Sequence, residues 1–275
     1  MTCRRRSWNL FRIFAVAYLL GVPILVYWCV NKRKGLFVLV STYVSVCANS
    51  IVKLTACVYR PWVKDPRVVP AGDAITESTG YSFLSGHTST AVPIYGGLAR
   101  VFQKRWLTIL CFALMIITGF SRNYLGVHTP QDVLFGFLIG GGSLYAMQKL
   151  FGIATLIYIT FKQYPTDYVN GELLVDPRKM MKDGYKDIGQ FVAFCPARYL
   201  EKRFMKFRET GFNQKGIILC LIGMVPLFFI ASILPSLLKK ALDANIAAMT
   251  AQMTLTFYSI LIWPAVIKLF QKNPE

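Results

Sequence analysis

Ser121-Arg122-Asn123-Tyr124-Leu125-Gly126-Val127-His128, four residues ahead of Asp132, is a polar stretch set between two apolar runs, Trp106 to Phe120 before it and Val133 to Phe161 after it. A hydrophilic joint between apolar runs is what a chain needs when it leaves a bilayer and re-enters it, because its backbone groups must find water or protein partners. The only other histidine, His87, occupies a similar place in Gly80-Tyr81-Ser82-Phe83-Leu84-Ser85-Gly86-His87-Thr88, at the head of a further apolar run. Upstream, Lys53 precedes Arg60-Pro61 near the end of another such run.

The surrounding composition agrees with a membrane reading. Of 275 residues, 55% are hydrophobic and only 16% charged, too apolar a balance for an ordinary soluble domain. Candidate spans run from about Phe11 to Val30, Gly35 to Tyr59, Thr88 to Ala99, Trp106 to Phe120, Val133 to Phe161, Gly216 to Leu238 and Ile246 to Leu269. Since roughly 20 apolar residues cross a hydrocarbon core, the first, second and last two qualify unaided. The runs from Thr88 and Trp106 are short, and Val133 to Phe161 is long for one helix and short for two, so six to eight spans are expected. Gly140-Gly141-Gly142 lies inside an apolar run with no Lys-Ser or Lys-Thr after it, which points to close helix packing and away from a phosphate loop.

The formal net charge of +18 is distributed at the ends of the apolar runs. Nucleic-acid binding wants a basic, aromatic-bearing soluble face, which is absent, so bilayer headgroups are the expected partner of most of this charge. Arg4-Arg5-Arg6 before an apolar run resembles a secretory leader, but Tyr27-Trp28-Cys29 offers no small-residue cleavage site, and an uncleaved first helix is expected. Cys3, Cys29, Cys47, Cys57, Cys111, Cys195 and Cys220 form an odd set without metal-ligand spacing and read as small hydrophobic residues.

Two polar segments interrupt the pattern. Arg60 to Gly86 holds Pro61, Pro66, Pro70, Gly72 and Gly80 and is expected as a loop at a membrane face. Lys162 to Lys215 carries most of the acidic residues, with Asn170-Gly171 and Asp183-Gly184 as turn signals and Ile188 to Leu200 apolar enough to touch the interface. With alternating spans, the ends near Tyr59, His87 and Pro130 fall on one side of the membrane. Three cations, two imidazoles and a carboxylate then converge, the inventory for holding a phosphate group and breaking a bond to it. Which side is undecided: Arg4 to Arg12 placed in the cytoplasm puts the site there, whereas Lys32-Arg33-Lys34, Arg100, Lys104 and Arg105 favour the opposite orientation.

Lys53 with Arg60-Pro61, then Ser85-Gly86-His87, then Ser121-Arg122 with His128 and Asp132, resembles the three signature motifs of the type 2 phosphatidic acid phosphatase (PAP2) superfamily. The resemblance covers Lys53 to Asp132 in detail and about residues 11 to 150 in outline. One position departs: Leu84 stands where the family usually has proline, a loss expected to affect loop stiffness and not chemistry.

Composition and resemblance together lead to the expectation of an all-α, multi-pass transmembrane helical bundle in the cell membrane, with a PAP2-like core and additional C-terminal helices that lie outside the resemblance. The resemblance implies His128 as a nucleophile forming a phosphohistidine, Asp132 as the group holding its other ring nitrogen, and His87 as acid then base. Lys53, Arg60, Ser85, Gly86 and Arg122 would bind the phosphoryl oxygens, and no metal or other cofactor is called for. The expected organisation is a catalytic domain over 1–162, a polar connecting segment over 163–214 and a C-terminal transmembrane hairpin over 215–275, whose spans serve as scaffold or as contacts of a homodimer. The expected substrate is a phosphorylated lipid: phosphatidic acid, phosphatidylglycerophosphate, a sphingoid-base phosphate or a polyprenyl diphosphate. Two rivals stand beside hydrolysis, a phosphotransferase of the same superfamily and a non-catalytic membrane protein holding lipid headgroups. Asp73 and Glu77 lie in the loop near the site without a spacing argument.

Overall fold

The computed structural model describes residues 21–71, 74–78, 80–145, 158, 160–165, 168–169, 172–173, 175, 177–211 and 213–271. Among these the chain is a succession of helices. They are α1 (Gly21–Val30), α2 (Lys32–Ala56), two single turns α3 (Pro61–Lys64) and α4 (Ala74–Glu77), α5 (Gly86–Phe102), α6 (Arg105–Tyr124) and α7 (Pro130–Ser143). After a two-residue antiparallel pair, β1 (Tyr168–Val169) with β2 (Glu172–Leu173), come α8 (Pro177–Leu200), α9 (Gln214–Ser232), α10 (Leu234–Leu238), α11 (Ala244–Phe257) and α12 (Trp263–Gln271). The protein is an all-α multi-pass membrane protein.

Four stretches among the described residues are long and apolar enough to cross a bilayer: Lys32–Lys64, Arg105–Tyr124, Gln214–Leu238 and Ala244–Gln271. On α6, Phe112, Ile116, Ile117 and Phe120 are exposed, as are Ile218, Leu221, Ile222, Val225 and Phe229 on α9. Such contiguous apolar surface is costly in water and natural against acyl chains. Of the remaining runs read from sequence, Thr88 to Ala99 lies within α5, which has 17 residues, and Val133 to Phe161 begins in α7, which has 14. The arginine cluster Arg4-Arg5-Arg6, Cys3, Gly72, Asp73, the turn Asn170-Gly171 and the far part of the Val133 to Phe161 run lie outside the described residues.

The chain divides into two units, Met1–Leu39 with Val192–Glu275, and Val40–Phe191. In the first, Trp28 and Tyr27 are fully buried, and Trp28 Nε1 donates to Ser259 O at 2.7 Å. Ser259 sits in a π-helical turn, Tyr258–Ile262, where the widened ladder releases carbonyls for such a bond. Glu201, also fully buried, accepts from Lys32 Nζ at 2.5 Å, from Phe207 N at 3.0 Å and from Arg198 Nη1. A buried carboxylate is tolerable only with this many donors.

In the second unit, α5 packs against α6 and α7. Small residues make the approach close. A methyl group at Gly140 would come within 2.6 Å of Val92 Cβ, one at Gly136 within 3.0 Å of Ser85 O, and one at Gly119 within 2.8 Å of Val133 Cγ1. Gly141 and Gly142 have open space beside them, so only the first glycine of the triplet serves the packing expected of it. One sequence expectation fails: Asp183-Gly184 is not a turn but lies inside α8. Asp183 is paired with Lys186 at 2.8 Å along the helix and Gly184 is buried, so helical pairing and packing override the local turn preference.

Candidate active site

Three chain segments of the second unit meet at one place: the end of α2 with Arg60, the loop entering α5, and the loop from α6 into α7. Arg60 follows the helix, caps α3 in an extended conformation and is buried. Its guanidinium reaches both neighbouring segments, with Nε donating to Gly80 O at 3.0 Å and Nη1 donating to Val127 O at 2.8 Å. The same Nη1 lies 3.1 Å from His128 Nε2.

That contact fixes the tautomer. A guanidinium has donors only, so Nε2 must present its lone pair and the single proton of a neutral ring sits on Nδ1. Nδ1 lies 3.5 Å from Asp132 Oδ2, an approach without hydrogen-bond geometry. The imidazole is buried and its proton affinity is lowered to about 4, chiefly because burial penalises the charged ring, with Asp132 opposing and Arg60 and Lys53 reinforcing the shift. His128 is therefore neutral at ordinary pH.

Asp132 has a second duty. Thr129 Oγ1 accepts from Asp132 N at 3.3 Å and Asp132 Oδ2 accepts from Thr129 N at 2.8 Å, a reciprocal capping box that starts α7 beside Pro130. The same Oδ2 accepts from Ser82 Oγ, and Asp132 O accepts from Ser85 N at 3.0 Å, tying the α5 loop to the α7 start. Asn123, with its amide nitrogen turned inward, donates to His128 O at 3.1 Å and Thr129 O at 3.2 Å.

Ser85 is fully buried and acts as the N-cap of α5, its Oγ accepting from Thr88 N at 3.4 Å and from Thr88 Oγ1 at 2.9 Å. Gly86 opens the helix. Beside it a methyl group would stand 3.4 Å from Asn49 Nδ2 and 3.9 Å from Lys53 Nζ, which places the lysine ammonium at the α5 N-terminus, where backbone N–H groups favour an anion. His87 follows as an exposed residue within electrostatic reach of Arg122, His128, Lys53 and Arg60. Arg122 is half-buried near the end of α6, with Nε donating to Ser121 Oγ at 3.2 Å. Both imidazoles and all three cations thus belong to one cluster.

Sequence reasoning missed several of its members. Asn49 lies one helical turn before Lys53, and its buried Oδ1 has no hydrogen-bond partner among the described residues. Ser82 and Thr129 hold Asp132, and Asp187 on α8 binds Ser50 of α2. A serine or threonine at offset three from an acidic residue signals a capping box, so Thr129 was readable; Ser82, Asn49 and Asp187 carry no local pattern.

Lys53, Arg60, Arg122 and the α5 N-terminus can together hold a tetrahedral oxyanion, and the Nε2 lone pair of His128 is directed at Arg60. The chain is similar to several known proteins. The chain is 32% identical over 92 residues to phosphatidylglycerophosphatase B of Bacillus subtilis (strain 168), covering 30% of this chain and 44% of that protein. It is 33% identical over 130 residues to bacitracin transport permease protein BcrC of Bacillus licheniformis, covering 45% of this chain and 60% of that one. A third relative, undecaprenyl-diphosphatase of Sulfolobus acidocaldarius, is 27% identical over 112 residues, or 40% of this chain and 52% of its own length. No solved structure matches the chain. The family model of the PAP2 superfamily matches residues 34–155, from the start of α2 past the end of α7. That match contains Lys53, Arg60, Ser85, Gly86, His87, Arg122, His128 and Asp132, whereas Asp187 lies beyond it.

Proposed function

We propose that the protein is a membrane lipid phosphatase that hydrolyses a phosphomonoester or diphosphate of an amphiphilic lipid through a phosphohistidine on His128. The observation that carries the reading is the neutral, buried imidazole of His128, its Nε2 lone pair aimed at the guanidinium of Arg60. An entering phosphate draws Arg60 onto its oxygens and exposes that lone pair. Nε2 then attacks phosphorus, the P–O bond to the lipid breaks, and the departing oxygen takes a proton from His87. In the second half, water attacks phosphorus and gives its proton to His87, a P–O bond forms as the P–Nε2 bond breaks, and phosphate and free His128 are released.

Lys53, Arg60 and Arg122 stabilise the charge that builds on the equatorial oxygens, together with Gly86 N–H. Ser85 contributes by holding the helix start. The catalytic domain is assigned to 1–162, the polar segment 163–214 joins it to a C-terminal hairpin over 215–275, and the lipid tail remains among the exposed apolar faces. The relatives' names point to both a phosphatidylglycerophosphate and an undecaprenyl diphosphate, so the substrate class embraces monoesters and diphosphates of lipids.

The test is phosphate release by the purified full chain from a panel of phosphatidic acid, phosphatidylglycerophosphate and prenyl diphosphates, with His128→Ala beside the wild type. Loss of turnover by about three orders of magnitude or more is expected on removing a nucleophile. Equal turnover in the two proteins would sink the reading, and transfer to an added alcohol without free phosphate would replace hydrolysis by phosphotransfer.

A further inference from the structure

α8 lies beyond the residues matched to the PAP2 superfamily, yet it sends a carboxylate toward the phosphate cluster. Asp187 Oδ2 accepts from Ser50 Oγ, and Asp187 O accepts from Cys47 Sγ at 3.3 Å, so the residue is anchored on α2 through both its side chain and its backbone. Ser50 and Lys53 are three apart on that helix and face the same side, which sets the carboxyl one turn from the ammonium that stands beside Gly86. Lys53 and Asp187 lie within electrostatic reach of each other. The charged groups around Asp187 are Asp183 and Lys186 on its own helix and Lys53 on α2.

Resting on the phosphatase reading above, we propose that Asp187 is a positioning residue for Lys53: a counter-ion in the empty site that takes up a proton when a substrate phosphate arrives. Three cations crowded into one poorly hydrated cluster repel one another, and a nearby carboxylate offsets that repulsion while the site is empty. A phosphate reverses the need. Its negative charge occupies Lys53 and repels Asp187, so the protonated carboxyl becomes the favoured form of the complex. The residue is suited to this exchange because burial pushes its carboxyl up to about 7, with Ser50 and Lys186 opposing and Asp183 reinforcing. By linkage, a group that gains a proton on binding makes binding weaken as pH rises through its free-state value.

The experiment measures KM and kcat for short-chain phosphatidic acid in detergent micelles across about pH 5.5 to 8.5, using the full chain as wild type, Asp187→Asn and Ser50→Ala. Asp187→Asn keeps a polar side chain on Ser50 but cannot titrate. The ratio of wild-type KM to Asp187→Asn KM is expected to grow by up to tenfold per pH unit above about 7, with kcat changing much less. Comparing the two proteins cancels the titration of the substrate's own phosphate. Ser50→Ala removes a hydrogen bond that favours the charged carboxyl, so its KM rise should begin at higher pH than in the wild type. A constant ratio across the range, or a Ser50→Ala profile that coincides with the wild type, overturns the proposal. A wild type that releases no phosphate removes the phosphatase reading itself, whereas normal turnover with parallel profiles removes the role of Asp187 alone.

Discussion

Arg60 Nη1 stands 3.1 Å from His128 Nε2 and 2.8 Å from the carbonyl oxygen of Val127, the residue immediately before that histidine. One nitrogen thus touches both the ring and the backbone that carries it. Only a planar, multiply donating group can hold these positions while its Nε serves Gly80 O at 3.0 Å. Arg60→Lys keeps the charge and loses the fork. Two lost charge-assisted hydrogen bonds of about 1.5 kcal/mol each imply a fall in kcat/KM of about 10²-fold. Steady-state kinetics on phosphatidic acid check this, and a variant within threefold of the wild type would refute the shared role.

The depressed proton affinity of His128 predicts a pH effect on stability. Unfolded, the ring titrates at about 6.5; folded, at about 4. Between these values the unfolded chain binds a proton that the folded chain does not, so stability rises with pH across that window and is lost as pH falls through it. The difference amounts to at most about 3 kcal/mol and is flat above the upper value. Thermal unfolding in detergent at a series of pH values should show a shallower acid limb in His128→Gln than in the wild type. Identical limbs would remove the claim that burial keeps this ring neutral.

Neighbouring glycines should behave differently. Gly140→Ala places a methyl group 2.6 Å from Val92 Cβ and 3.0 Å from Ser89 O, and overpacking of this kind costs about 1 to 3 kcal/mol. Gly141→Ala and Gly142→Ala meet nothing within 4 Å. The first variant is expected to lower the melting temperature and the other two to leave it unchanged or raise it slightly through helix propensity. Three equal melting temperatures would contradict the close approach of α7 to α5.

Thr129→Ala removes the hydroxyl of the capping box and should cost about 1 kcal/mol of stability, whereas Thr129→Ser should restore it. Because Asp132 reaches both Thr129 N and the His128 ring, the alanine variant is also expected to lose turnover more than stability alone explains. Activity measured well below the melting temperature separates the two effects, and full activity in Thr129→Ala would mean that the cap does not position Asp132 for His128.

Much of the helical frame and the polar side chains of the cluster were legible in the sequence, for reasons particular to their residues. His87 and His128 each stand at the mouth of an apolar run, and Lys53 is a charge late in another, so a bilayer leaves them few places to go. Alternation of spans leads to the expectation that their ends share one side, and the hydrogen bonds of Arg60 join the end of α2 to both loops. Less visible was anything decided by contact across distant segments. Ser50 and Asp187 are separated by 137 positions, and neither belongs to a periodic or motif-like pattern. Asp183-Gly184 has the composition of a turn, but the packing of α8 outweighs it. Ser85 reads as a phosphate donor by its neighbours Gly86 and His87, and its oxygen also accepts from Thr88 as a helix cap, a second duty that leaves its own proton to donate.

The carboxylate of Asp132 is held by Ser82 and Thr129 before any substrate is present. One oxygen atom therefore joins the loop entering α5 to the loop entering α7 beside a single ring, and this acid cannot be removed to silence chemistry while leaving the frame intact. A chain losing this acid would inherit a looser helix start and a misdirected imidazole together, so mutational tolerance at position 132 should track with folding yield as closely as with turnover.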